Sequence, residues 1–372
     1  MNSQSFFSKS LWIEFSKKNS FKFLLFIFLS SCLSPIDFPV EIKGGILVVT
    51  GQLSTISDQN IVQLGRTADT EQLPFPIPGA FIQLFDDAGN IYQYEEDLQE
   101  EGNYYIKNIV GEVGRTYHIQ ISLPDGSAYK SLPEKLPGPA AMESVYYEIE
   151  RKKITDGEGA VVDQDFFEIF AKNISIASEK KTYLKWGVEE AFLLSPTDFP
   201  DIMGRIPPPC FIVQNADPQR IVLFKGDDVS TTSINSILVG SRLIDWSFLE
   251  RHYFTIYQSS ITKEAYEYWR KVNIVANQVG TIFDTPPATI SGNIVREGNS
   301  DEKVLGYFQA INQTYSRFFV LPSDLPFPLT VSTCDYDGTL AEFGIPDPSD
   351  YPARCIDCLI LPNSSYTRPD WF

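Results

Sequence analysis

Histidine is almost missing from this chain of 372 residues, which carries only His118 and His252. Nucleophilic catalysis of the Ser-His-Asp or Cys-His kind needs an imidazole that titrates near neutrality. His118 falls on the polar side of a strand pattern and His252 follows Arg251 where another pattern begins, so each is expected to be a surface or strand-edge residue. No Gly-x-Ser-x-Gly elbow, His-Glu-x-x-His zinc motif or glycine-rich phosphate loop occurs. A glycosidase needs only two carboxylates, and the 48 acidic residues keep that option open without selecting a pair. Positive charge is scarce too: 30 Lys and Arg leave a net charge of −18. Such a surface repels nucleic acid and gains nothing from anionic headgroups, which excludes a nucleic-acid partner. A spanning hydrophobic run is also lacking, since the apolar stretch from Phe23 to Leu29 is too short for a bilayer core of about 30 Å.

That short run has a different use. Lys17, Lys18 and Lys22 flank its start, and Ser30, Ser31 and Cys32 follow it, the order of a secretory signal peptide over residues 1–31. Leu29-Ser30-Ser31-Cys32 resembles the bacterial lipoprotein box, in which the cysteine becomes the acylated first residue. Loss of the leader removes Lys9, Lys17, Lys18 and Lys22 but only one acid, Glu14, so the mature chain is more acidic still. Membrane attachment therefore falls to the lipid on Cys32. Each buried methylene contributes about 0.8 kcal/mol, and two or more acyl chains hold stably. Residues 32–44, with Pro35 and Pro39, read as a tether.

Cys210, Cys334, Cys355 and Cys358 remain. An even number in an exported chain points to two disulfides, with three pairings open; Cys334 joined to Cys355 or to Cys358 would close a short loop. Cys355-Ile-Asp-Cys358 also has the spacing of a redox pair or half a zinc site. It precedes the strand-like Leu359-Ile360-Leu361 rather than opening a helix, and only Cys210 and Cys334 could complete a zinc site, so disulfides are the expectation.

Length suggests two domains, and 43% hydrophobic with 13% aromatic residues is ample for packed cores. Strand signals recur from Ile46-Leu47-Val48-Val49-Thr50 through Ala80–Phe85, Tyr104–Ile106 and Tyr117–Ile121, separated by turns such as Asp86-Asp87-Ala88-Gly89-Asn90. With no helical period among them, they argue a β-sandwich over residues 45–138. Val49-Thr50-Gly51, Pro78-Gly79-Ala80, Gly102-Asn103-Tyr104 and Gly114-Arg115-Thr116-Tyr117 are similar to the carboxypeptidase-regulatory or transthyretin-like sandwich. Residues 139–372 read as a larger β-rich domain with one helix over about 262–279. There Thr262 is the N-cap, Gly280 the C-cap, and Ala265, Trp269, Val272, Ala276 and Val279 form the apolar stripe. The fold class is mainly β, with no internal repeat.

Few residues stand out as ligand contacts. Asp335-Tyr336-Asp337-Gly338, and Asp86-Asp87 with Asn90, hold oxygen ligands for calcium but lack a six-ligand spacing, and ordinary turn chemistry accounts for them. No cofactor beyond the lipid is expected. Trp186, Trp246 and Trp371 are candidate sugar-stacking platforms; core packing is expected for the first two, and Trp371 is either a clamp for the tail or an exposed contact. Trp269 reads as core. The loop Pro74-Phe75-Pro76-Ile77-Pro78 is either a stiff docking arm or a plain connection.

A second resemblance spans nearly the whole mature chain. Gln258 to Tyr266, Trp269, Phe283-Asp284-Thr285-Pro286-Pro287, Gly292-Asn293-Ile294, Leu305-Gly306-Tyr307-Phe308, the paired cysteines and Arg368-Pro369-Asp370-Trp371-Phe372 resemble the Bacteroidota lipoprotein family labelled domain of unknown function 4249. The resemblance implies an outer-membrane lipoprotein, on the cell surface ahead of the periplasmic face, that serves as accessory or ligand-binding subunit to a TonB-dependent receptor. An oligosaccharide or a peptide is the implied ligand. A glycan- or peptide-degrading hydrolase, or a free-standing adhesin or structural lipoprotein, is the alternative.

Overall fold

Alternating burial organises the strands. In Thr116–Ser122, Tyr117, Ile119 and Ile121 are enclosed while His118 and Gln120 are only half-buried, as the two-residue side-chain period requires. The computed structural model describes residues 45–56, 60–68, 74–157, 159–175, 182–195, 207–218, 220–228, 233–277, 290–331, 333–334 and 352–372. The signal peptide, Cys32, the tether to Gly44, Phe283–Pro287, Val279, Gly280 and Asp335–Gly338 lie outside these residues.

The fold is mainly β, with three sheets and one substantial helix. The large sheet has eleven strands. Its order is β20 (Ser364–Ser365), β14 (Cys210–Asn215), β13 (Tyr183–Leu194), β17 (His252–Ser260), β19 (Leu305–Val320), β1 (Leu47–Ser54), β2 (Ile61–Arg66), β7 (Asn103–Tyr105) and β6 (Glu95–Glu96). Beside β13 lies β15 (Val222–Lys225), and beside β2 lies β3 (Phe75–Pro76). The proline loop thus contributes a short edge strand. A second sheet runs β18 (Ile294–Arg296), β9 (Ala128–Ser131), β8 (Thr116–Ser122), β4 (Phe81–Asp86) and β5 (Ile91–Gln93), with β10 (Glu134–Lys135) on β8. The third holds β11 (Met142–Thr155), β12 (Val161–Ser175) and β16 (Ser233–Leu243).

Two cores result. The first is sandwich-like: Val49, Leu53, Val62 and Leu64 of the large sheet meet Ile82, Leu84, Ile119 and Ile121 of the second. Residues 45–138 do not complete it, because Ile294, Phe308 and Ala310 belong to the same core, and Ile42–Phe372 form one compact unit. The second core lies between the large sheet (Trp186, Val188, Phe254, Ile256) and the third (Phe167, Ile169, Val239). β19 joins them. Its first part pairs in parallel with β1 and its second part antiparallel with β17.

The Gly-Asn-Ile and Leu-Gly-Tyr-Phe motifs meet at this joint. Gly306 has φ +94°, and a Cβ there would stand 2.0 Å from the Val49 carbonyl oxygen; one on Gly292 would stand 1.4 Å from the Gly306 carbonyl oxygen. Only glycine allows three backbones to approach so closely. Buried Asn293 then stitches the crossing, its Nδ2 donating to the Phe308 carbonyl (2.8 Å) and its Oδ1 accepting the Phe308 N–H (2.9 Å).

Helix α1 (Lys263–Asn277) begins as expected, with Thr262 Oγ1 accepting the Ala265 N–H at 3.1 Å. Its first half packs Ala265 and Tyr266 onto Tyr307 and Ile311, whereas Ala276 is exposed and Val272 half-buried, so the apolar stripe is only partly used. The strand expected at Leu359-Ile360-Leu361 is not formed: Cys358–Ile360 is a 3-10 turn, capped by Asp357 accepting the Leu359 N–H and held by Cys358. The disulfides are Cys210–Cys358 and Cys334–Cys355.

Candidate functional site

Odd-numbered positions of β13, β17 and β19 point away from the second core and share one face of the large sheet. α1 covers one end of this face through Tyr183, Tyr307 and Ile311. The C-terminal segment covers the other. Cys358 ties that segment to Cys210 at the start of β14, β20 pairs with β14, and Phe372 then packs edge-on against Phe211 and beside Tyr253.

Between the two covers lies a hollow of about 400 Å³, lined chiefly by Glu189, Tyr257, Tyr315, Arg317 and Trp371. Its neighbour Gly187 faces open space, since a Cβ there would meet nothing within 4 Å. The Tyr257 and Tyr315 rings are 6.0 Å apart at 45°, and Tyr315 is 54% exposed, which leaves its ring available for stacking. The Arg317 guanidinium lies 3.7 Å from the Trp371 ring centroid, and its Nε donates to Thr255 Oγ1 at 2.7 Å, so its orientation is fixed from both sides. The hollow thus offers two tyrosine rings, one guanidinium and one carboxylate. That set suits a ligand with flat apolar faces and hydroxyl or amide groups at its edge.

The tryptophans divide between roles. Trp186 is core, 2% exposed, with its Nε1–H donating to Gln258 at 3.1 Å. Trp246 is half-buried, edge-on to Phe192 with the Arg354 guanidinium 5.1 Å from its ring. Trp269 is half-buried rather than enclosed: its Nε1–H reaches Gln309 at 2.9 Å, and Lys185 Nζ sits 3.8 Å from its ring centroid. Trp371 docks the tail and also walls the hollow. Glu189, Tyr257, Tyr315 and Arg317 were not singled out by the sequence. The available signal was the alternation Tyr315, Arg317, Phe319 along a strand whose other side is core.

The histidines are not a catalytic pair. His118 lies on the second sheet, stacked on Phe85 at 5.0 Å, with burial and Lys130 pulling its pKa down. His252 corrects the surface expectation, because it is 0% exposed and packed against Phe192, Phe248 and Phe254. Its ring contacts two acceptors, the Ser247 carbonyl at 3.1 Å and the Glu190 carboxylate at 3.0 Å. Glu190, 1% exposed, also accepts from Arg242 Nε (2.7 Å) and Gln214 Nε2 (2.7 Å). Burial raises its carboxyl pKa, but the His252 hydrogen bond and the charges of His252 and Arg242 outweigh this and hold it below the usual value. His252, Glu190 and Arg242 form a structural network beneath the sheet.

The calcium candidate at Asp86 is a turn. Its Oδ1 accepts the N–H of Ala88 (2.9 Å) and Asn90 (2.8 Å), its Oδ2 accepts from Asn90 Nδ2, and Asp87 pairs with Arg115 at 3.1 Å. The four cysteines are spent in disulfides, which leaves no thiolate among them for zinc. Among the described residues no helix is long and apolar enough to cross a membrane.

A family model described as a domain of unknown function, DUF4249, matches residues 34–317, most of the chain. The match takes in β1 to Arg317 and stops short of Cys334, Cys355, Cys358 and Trp371. No curated protein matches the sequence. The chain belongs to the DUF4249 family.

Proposed function

We propose that this member of the DUF4249 family is a lipid-anchored binding protein of the bacterial outer membrane, an accessory subunit that holds a ligand beside a TonB-dependent receptor. The observation that carries the binding role is the hollow between α1 and the tail. It presents Tyr257, Tyr315 and Arg317, with Glu189 as the carboxylate among the described residues of its lining. Stacking rings beside a fixed guanidinium are groups that hold a ligand, and it is on them that the reading of capture rests. Its aromatic and polar mixture suits an oligosaccharide or a peptide.

Export is supported by the two disulfides, which persist in oxidising compartments. The anchor rests on the leader and on Cys32. Confinement to the membrane plane raises the effective concentration of the chain beside a receptor, so a modest interface is enough for stable association.

The test is a mild-detergent pulldown of the tagged chain from its native membranes, with mass spectrometry of what co-purifies and Cys32→Ala as the control. A stoichiometric β-barrel receptor, lost with Cys32→Ala, is expected. Recovery of the chain alone overturns the accessory role, and unchanged membrane association of Cys32→Ala overturns the anchor.

A further inference from the structure

On the flank of α1 away from the tail, two cavities of about 800 and about 260 Å³ share Asp217, Arg220 and Ile221. The larger runs between α1, at Tyr266 and Arg270, and the strand residues Leu223 and Ile237; the smaller reaches down to Lys185 on the sheet, beneath Trp269 of α1. Its charge is opposite to that of the chain. In a protein with 48 acids against 30 bases, the described residues of the two linings hold Lys185, Arg220 and Arg270 against one acid, Asp217. Arg270 is partnered by Glu267 at 2.9 Å. Among the described residues, Lys185 and Arg220 make no ion pair with any carboxylate.

Lys185 is the informative member. Its side chain projects from β13 onto the Trp269 face, where half-burial removes solvent without supplying a counter-charge, and desolvation draws its pKa down to about 8. Burial pushes the Asp217 carboxyl pKa up while the charge of Arg220 draws it back, so this acid faces Arg220 and leaves Lys185 without a carboxylate partner among the described residues. A desolvated cation over an indole gains strongly when an anion arrives. The aliphatic wall at Ile221, Leu223 and Ile237 supplies apolar contact for the body of such a ligand, and the larger volume is that of an ordinary small-molecule site.

We propose that this cleft binds an organic anion, a carboxylate-bearing molecule with an apolar or aromatic body, whose charge is received by Lys185 and Arg220 and whose body lies on Trp269 and the aliphatic wall. The site is separate from the aromatic hollow and holds whether or not the chain works beside a transporter.

The test is titration calorimetry on the full purified chain with 1-naphthoate, its neutral isostere 1-naphthamide, and citrate. Naphthoate should bind at least about tenfold more tightly than naphthamide, the scale of a hydrogen bond to a charged group. Lys185→Met keeps the stem against Trp269 and should erase most of that preference. Lys185→Arg should restore it, Arg220→Gln should reduce it, and Tyr315→Ala in the other hollow should leave it intact. Circular dichroism of Lys185→Met confirms the fold. Equal binding of acid and amide, no binding of either naphthoate or citrate, or a preference that survives both Lys185→Met and Arg220→Gln overturns the assignment.

Discussion

Glu190→Ala perturbs a buried cluster of charged groups. The carboxylate is 1% exposed and accepts from Arg242, Gln214 and His252 at 2.7, 2.7 and 3.0 Å. Arg242 keeps a second partner, Asp245 at 3.1 Å, and 15% exposure; His252, at 0%, keeps only the Ser247 carbonyl. The truncation therefore takes the shared carboxylate acceptor from the Arg242 guanidinium and the buried His252 ring at once. Breaking a buried ion pair from one side costs about 3–5 kcal/mol, which at roughly 2 °C per kcal/mol for a chain of this size lowers the melting midpoint by about 6–10 °C. Glu190→Gln keeps the shape and one acceptor and should cost less, about 1–3 kcal/mol. His252→Phe in the Glu190→Ala background replaces the unpartnered imidazole with an apolar ring among Phe192, Phe248 and Phe254. By taking away a buried polar ring left without its Glu190 partner it should recover part of the loss, with a coupling energy of at least about 1 kcal/mol. The assay is urea denaturation at pH 7 and pH 4 with the disulfides intact. The folded-state pKa of Glu190 is depressed, so its contribution is present above its unfolded value of 4.5 and is lost as pH falls through the folded one; the gap between wild type and Glu190→Gln narrows at the lower pH. A Glu190→Ala cost under about 1 kcal/mol, or two substitutions that simply add, would falsify the network.

Three further outcomes are expected. Glu134 is 4% exposed, accepts from Thr262 Oγ1 at 2.8 Å and from the Tyr307 hydroxyl, and is pushed by burial to a pKa of about 7 despite those bonds. With the folded value above the unfolded one, its contribution is full below pH 4.5 and about 3 kcal/mol is lost as pH rises to about 7; Glu134→Gln should flatten that window in a pH series of denaturation curves, and an unchanged slope refutes the assignment. Gly306→Ala forces a Cβ to 2.0 Å from the Val49 oxygen, so it should lower stability by more than about 4 kcal/mol or abolish folding, read by circular dichroism, while a wild-type melting curve refutes the close crossing. Removing Cys210–Cys358 by paired serine substitutions frees a loop with a sequence separation of 148. It should cost up to about 5 kcal/mol on a chain-entropy basis and expose Trp371 to acrylamide quenching, whereas unaltered quenching means the tail stays docked without the bond.

By itself the sequence determined what depends on local pattern. Alternation in Tyr117–Ile121 specified a half-buried strand, Thr262 with the period after it specified the start of α1, and even cysteine usage specified disulfides, because each signal lies within a few residues of its effect. Within residues 139–372 a strand such as β16 carries a weak local signal, because its residues are mostly half-buried and alternate little. Tertiary structure alone decided the rest. The pairing of Cys210 with Cys358, the closure of the sandwich by β18 and β19, and the burial of His252 beside Glu190 are contacts across long sequence separations, set by which sheets stack and which strands cross. The hollow and the cationic cleft exist for the same reason: Tyr257, Tyr315 and Trp371, or Lys185, Arg220 and Trp269, come from six separate segments and become neighbours only when these pack together.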